Sequence, residues 1–129
     1  MVIRGDYISD SEWQQFQDFS KDMETPCIIV NLQTIRENYL RLRGLFPYSE
    51  IYYAVKANPI PEIISMLAAM DSCFDIASRP ELDMVLSMGI IPDRVSYGNT
   101  IKKARDIAYF YEKGVRMFAT DSKEDLKNI

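Results

Sequence analysis

Histidine is absent from the 129 residues. No imidazole metal ligand and no histidine general base can therefore come from within them. Apolar residues make up 47% of the chain, yet they never run for the roughly 20 residues that a membrane-spanning helix requires. The opening MVIRGDYISDSEWQQF lacks the apolar stretch of a secretory signal. Cysteine is scarce, and Cys27 and Cys73 have no metal-like spacing. With no export signal, both are expected to be reduced thiols in a cytoplasmic protein. Positive charge is also in deficit. The net charge of −4 argues against a nucleic-acid partner or an anionic membrane surface, since both favour a basic face. No G-x-G-x-x-G is present, so a dinucleotide-binding sheet has no support.

What remains is a soluble-looking globular composition with a strong rhythm. Ser9 and Glu12 have capping-box spacing. They predict a first helix over residues 11–23, with Trp13, Phe16 and Phe19 on one stripe. Thr25-Pro26 ends it, and residues 27–30 read as a short strand. Leu32, Ile35, Tyr39, Leu42 and Phe46 fall on one face of a second helix. Strand candidates then begin at residues 51, 73, 95 and 115, each about five residues long. Helical patterns over 61–70, 79–88 and 101–113 fill the gaps. Gly89 and Gly114 stand where left-handed helix ends are wanted, and Pro80 lies in a first turn where its missing N–H is harmless.

Strand, helix, strand at a near-constant period means parallel βα units. Two architectures accept them, an open doubly wound sheet and a (β/α)8 barrel. A barrel needs eight units and typically ~250 residues. The chain holds three complete units and the start of a fourth, and DSKEDLKNI reads as the opening of a helix. The expectation is an α/β fold, the N-terminal part of a (β/α)8 TIM-type barrel that continues beyond this sequence. Residues 1–24 form a lead-in helix, and residues 25–129 the first part of the barrel domain.

Two strand ends carry chemistry. In YYAVKANP, alternation puts Tyr52, Ala54 and Lys56 on one face. Lys56 falls at the C-terminal end, where barrels place their active sites. A lysine that loses its charge by desolvation can attack an aldehyde and form a Schiff base. A lysine that simply snorkels from a strand end has the same pattern. In CFDIAS, Asp75 shares a face with the small Cys73 and Ala77, and a cationic partner is expected for a buried carboxylate. Ser78 and Glu81 have capping-box spacing, which explains Glu81 without catalysis. Asn99 and Asp121 could cap following helices. Lys102, Lys103 and Arg105 read as a solvated helix face, and the seven methionines as core filler.

YYAVKANP resembles the lysine motif of the fold-type III, alanine-racemase-like pyridoxal-phosphate enzymes. FDIASRPEL resembles the second-strand motif of their ornithine, lysine and diaminopimelate decarboxylases. SYGNTIKKARDIAYFYEKGVRMFATDSKEDL is similar to the ornithine decarboxylase group, particularly its bacterial ornithine/lysine members. The likeness runs from about Thr25 to the last residue.

The resemblance implies pyridoxal 5'-phosphate as cofactor and Lys56 as the lysine that holds it. It implies Asp75 as a carboxylate beside that lysine, Glu81 as an assisting glutamate and Ala54 as the small residue next to the cofactor. It further implies decarboxylation of a small-molecule substrate, L-ornithine or L-lysine, to a diamine in polyamine biosynthesis. A cytoplasmic homodimer with active sites at its interface belongs to the same implication. No metal site is expected. Diaminopimelate or carboxynorspermidine decarboxylases, racemases, a non-catalytic ornithine-decarboxylase-like regulator and a cofactor carrier share parts of these motifs. The family's glycine-rich phosphate loop, ring-stacking histidine, pyridine-binding glutamate and C-terminal β-domain have no counterpart in these 129 residues.

Three βα units cannot close a barrel, and uncharged edge strands invite pairing between chains. Residues 1–129 expressed alone are therefore expected to be inactive, to aggregate or stay loose, and not to bind pyridoxal phosphate specifically. Near-UV spectra with and without added cofactor provide the check. A cooperatively unfolding monomer with a stoichiometric cofactor band would overturn it.

Overall fold

The structure is a computed structural model that describes residues 8–129. The residues form two separate compact units, Met1–Leu32 and Gln33–Ile129. In the first, α1 (Asp10–Ser20) begins as its sequence predicts. Ser9 Oγ accepts from the Glu12 N–H at 3.3 Å, and the Ser9 N–H donates to Glu12 Oε2 at 3.0 Å. The helix stops three residues earlier than the apolar stripe suggests. There the Ser20 hydroxyl donates back to the Gln17 carbonyl, and the Met23 N–H closes a turn on Ser20.

Residues 27–30 are not a strand, contrary to expectation. An apolar run becomes a strand only when a neighbour satisfies its backbone, and no strand among the described residues pairs with it. Cys27 and Ile29 instead line an apolar groove with Trp13 and Phe16 of α1.

The second unit carries the fold. After α2 (Leu32–Leu45) come β1 (Tyr52–Ala54), α3 (Pro61–Ala69), β2 (Cys73–Ile76) and α4 (Arg79–Ser87). They are followed by β3 (Val95–Tyr97), α5 (Ala104–Glu112), β4 (Met117–Phe118) and α6 (Lys123–Leu126). The strands make one parallel sheet in the order β1-β2-β3-β4. Sequential order without a reversal is the barrel arrangement; a doubly wound sheet changes direction part-way. The strands are two to four residues long, shorter than the apolar runs that announce them. Gly89 and Gly114 take φ of 82° and 98°, as their helix-end positions require.

One sheet face is the core. Phe74, Ile76, Val95 and Tyr97 are buried on it, beneath Ile63, Leu67, Val85 and Phe110 of the helices. Tyr97 stacks on Phe110 with ring centroids 3.8 Å apart, a contact that adds to plain area burial. Arg79 ties α4 to α5 through an ion pair with Asp106 at 2.6 Å and by lying over the Tyr109 ring. Below the sheet, Arg94 donates to the Ser72 and Ala68 carbonyls, and Tyr39 and Arg43 both donate to the Met70 carbonyl. No helix among the described residues is long and apolar enough to cross a membrane.

Lys102 corrects the sequence reading. It is not part of a solvated face, and its side chain is buried. Its ammonium donates to the carbonyls of Asn99 and Ala119 and pairs with the Asp125 carboxylate. Polar atoms from the ends of β3 and β4 and from α6 thus converge on one cation. The neighbours Lys103 and Arg105 remain exposed. Helix periodicity mislabels Lys102 because α5 starts only at Ala104, so Lys102 belongs to a loop.

Hydrogen bonding from Lys102 holds the Asp125 carboxyl below its ordinary value, outweighing the opposing effect of desolvation. A carboxyl whose folded value is depressed stabilises the fold above its unfolded value of about 3.9 and loses that contribution as pH falls through the folded value. Lys102→Met leaves Asp125 buried and unpaired at neutral pH. In the intact protein this variant should unfold at a clearly lower urea midpoint at pH 7. The gap from wild type should narrow towards pH 3, where Asp125 can take a proton. A gap independent of pH would show that the pair contributes nothing electrostatic.

Candidate active site

Strand register brings three side chains to one level. Ala54 pairs with Asp75, and Asp75 pairs with Ser96. Residues in register on neighbouring parallel strands point to the same face. This face lies opposite the helix-covered core formed by Phe74, Ile76 and Tyr97. The row stands at or next to the C-terminal strand ends, and Ala54 leaves space within it.

Asp75 is half-buried. The cationic partner expected from sequence is not what the structure supplies. Asp75 Oδ1 accepts a hydrogen bond from Ser96 Oγ at 2.6 Å. A hydroxyl suffices because the carboxylate keeps part of its access to water. The carboxylate also lies against Gly98. A Cβ there would sit 2.0 Å from Asp75 Oδ1 and 2.2 Å from Oδ2, so any side chain would collide. Gly98 is itself fixed, since its N–H donates to the Ile76 carbonyl at 2.9 Å.

Lys56 stands at the expected strand end but not on the expected strand. β1 stops at Ala54, and Val55–Ala57 form one turn of 3-10 helix. Strict alternation therefore does not set the direction of Lys56. Val55 is fully buried and anchors the turn. Tyr53 Oη donates to the Asn58 carbonyl at 3.0 Å, and Asn58 Oδ1 accepts from the Ile60 N–H. Lys56 is exposed and makes no hydrogen bond or ion pair among the described residues. An unpaired primary amine on a braced turn, beside the small Ala54, is chemically suited to hold an aldehyde-bearing cofactor.

Glu81 has two backbone-capping contacts. Its Oε2 accepts from the Ala77 N–H at 2.6 Å, and its own N–H donates to Ser78 Oγ at 3.5 Å. Both join the end of β2 to the start of α4. Asn99 does not cap α5; its Oδ1 accepts from the Ile101 N–H in a tight turn. Asp121 is likewise not a cap, because Ser122 is the N-cap of α6. Deeper on the Asp75 face, burial pushes the Cys73 thiol and the Tyr52 hydroxyl above their ordinary values. Both stay neutral at pH 7, which makes Cys73 a poor nucleophile. Sequence reading missed Ser96 and Gly98, although the alternation in SYGN already puts both on the Asp75 side of β3.

Residues 32–129 match the family described as "Pyridoxal-dependent decarboxylase, pyridoxal binding domain". The chain belongs to this family. It is 35% identical over 128 residues to a decarboxylase of Aspergillus flavus, covering 99% of this chain and 28% of that protein. It is 33% identical over 116 residues to the lysine/ornithine decarboxylase of Selenomonas ruminantium, covering 90% of this chain and 30% of the relative. The crystal structure of the Vibrio vulnificus lysine/ornithine decarboxylase complexed with cadaverine superposes with a TM-score of 0.83 at 26% identity. That match covers 94% of this chain and 33% of the other. The chain thus spans about a third or less of the length of these relatives. The family is pyridoxal-dependent, and the Selenomonas ruminantium lysine decarboxylase has been crystallised with pyridoxal phosphate.

Glu81 provides a test of capping against chemistry. Glu81→Ala should destabilise the intact protein by about 1 kcal/mol, the scale of a lost helix cap. Glu81→Gln, which keeps an acceptor oxygen, should recover most of that. Equal loss of activity in both variants with unchanged stability would instead place Glu81 among the reacting groups. Urea unfolding and steady-state rates measured on the same samples separate the two outcomes.

Proposed function

We propose that the protein is a pyridoxal-phosphate-dependent decarboxylase of a basic amino acid, L-ornithine or L-lysine. Its product would be a diamine for polyamine biosynthesis. The observation that carries the reading is the exposed amine of Lys56, in the turn that follows β1 and without a protein partner among the described residues, next in sequence to a row in which Ala54 of β1 pairs in register with Asp75 of β2. Family membership supports the cofactor and the reaction class. The relatives named for lysine and ornithine support the substrate class.

Lys56 Nζ is the atom that would hold the cofactor, through the cofactor's aldehyde carbon. Ala54 keeps the neighbouring space clear. When bound, pyridoxal phosphate supplies an electron sink for the electron pair left behind by departing CO2. Asp75 contributes negative charge from the adjacent strand, which favours the protonated state of a nearby nitrogen. Its Oδ2 has no hydrogen-bond partner among the described residues, so it is the oxygen available for that task. Glu81 acts from behind by fixing the amide of Ala77, where β2 gives way to α4. The same reading gives a cytoplasmic homodimer with active sites at the subunit interface, a state that sedimentation of the full-length protein would reveal.

Borohydride reduction of the cofactor-loaded full-length protein, followed by peptide mapping, tests the assignment. The label is expected on Lys56, and Lys56→Arg should abolish it together with turnover. A label on another lysine would sink the assignment.

A further inference from the structure

Asp75 is held from two sides, by Ser96 of β3 and by Gly98 in the loop after it. Gly98 offers bare backbone exactly where the carboxylate lies: a Cβ there would fall 2.0, 2.2 and 2.4 Å from Oδ1, Oδ2 and Cγ of Asp75. Ser96 donates to Oδ1 at 2.6 Å from the directly paired position of β3. Gly98 has an ordinary backbone conformation, since it is absent from the glycines with positive φ. Backbone freedom therefore does not require glycine at this position; space does.

We propose that Ser96 and Gly98 are positioning residues that hold the Asp75 carboxylate against β3, with one oxygen engaged and the other left for the reacting site. The inference rests on the Lys56 reading given under Proposed function for what Asp75 then does. The geometry of the clamp does not depend on that reading. Ser96 engages Oδ1, while Oδ2 accepts no hydrogen bond among the described residues. Gly98 prevents the carboxylate from being pushed off that position. Asp75 ends in a flexible side chain, so a methyl group at residue 98 should displace it without unfolding the strand. Ser96 is itself buried.

The test uses the full-length cofactor-loaded protein and the variants Ser96→Ala, Ser96→Thr and Gly98→Ala, each made also in an Asp75→Ala background. A crystal structure of Gly98→Ala is expected to show the Asp75 side chain in a new rotamer. In the wild-type background, Ser96→Ala and Gly98→Ala should each lower kcat by about tenfold, the scale of a lost hydrogen bond to a charged group. Both should also change the ratio of the protonated and unprotonated absorption bands of the bound cofactor. Ser96→Thr, which restores the hydroxyl, should recover most of the rate and the spectrum. In the Asp75→Ala background, Ser96→Ala and Gly98→Ala should have no further effect, because residues that act only through one partner are non-additive. An unmoved Asp75 in Gly98→Ala, or full additivity with Asp75→Ala, overturns the positioning role. Borohydride labelling of the wild type away from Lys56 overturns the cofactor reading instead, and the crystallographic result then decides the clamp by itself.

Discussion

The apolar face of the sheet lies under the helices, and this burial decides where every other side chain can point. Phe74, Ile76, Val95 and Tyr97 are buried there, and Tyr97 is locked by its stack on Phe110. A strand has only two faces. Once the large apolar residues are committed to the helices, Ala54, Asp75 and Ser96 must share the other face. Parallel pairing then brings them to one level, because the registers of β1 with β2 and of β2 with β3 both pass through Asp75. The candidate site is thus a consequence of core burial rather than a separate construction.

Polar groups at the strand ends are satisfied in two different ways. Lys102 is withdrawn from water and fully engaged, with two carbonyls and the Asp125 carboxylate around it. It serves structure by joining the ends of β3 and β4 to α6. Lys56 is the opposite case, an exposed lysine with no protein partner among the described residues. A buried cation with every donor used cannot easily do chemistry, whereas an unpaired amine on a braced turn can. The contrast separates two lysines that each follow a strand, Lys56 in the 3-10 turn after β1 and Lys102 in the loop between β3 and α5.

Asp75 lies between these extremes. It accepts one strong hydrogen bond and is otherwise half-open. Its neighbours on the strand are small or neutral, and the two polar side chains deeper on that face, Cys73 and Tyr52, are kept uncharged by burial. The carboxylate is consequently the main negative charge that the sheet itself presents on this face. Glu81, the other acidic candidate, directs its Oε2 to the Ala77 amide at the end of β2.

The sequence by itself determined the order and type of the elements of the second unit, the parallel units they form, and the residues at the strand ends. Those features follow from local rules: period-two and period-3.6 apolar patterns, caps such as Ser9 with Glu12, and glycines at helix ends. Tertiary structure alone decided what needs a neighbour from elsewhere in the chain. The apolar run 27–30 has no partner strand among the described residues and so is not a strand. Lys102 is buried because Asp125 and Ala119, far along the chain, come to meet it. Lys56 is set on a three-residue 3-10 turn too short to leave a periodic signal. Asp75 receives Ser96 rather than a cation because register places a hydroxyl opposite it. Local propensity acts within a few residues, whereas burial and pairing are properties of surfaces that exist only once distant segments have met.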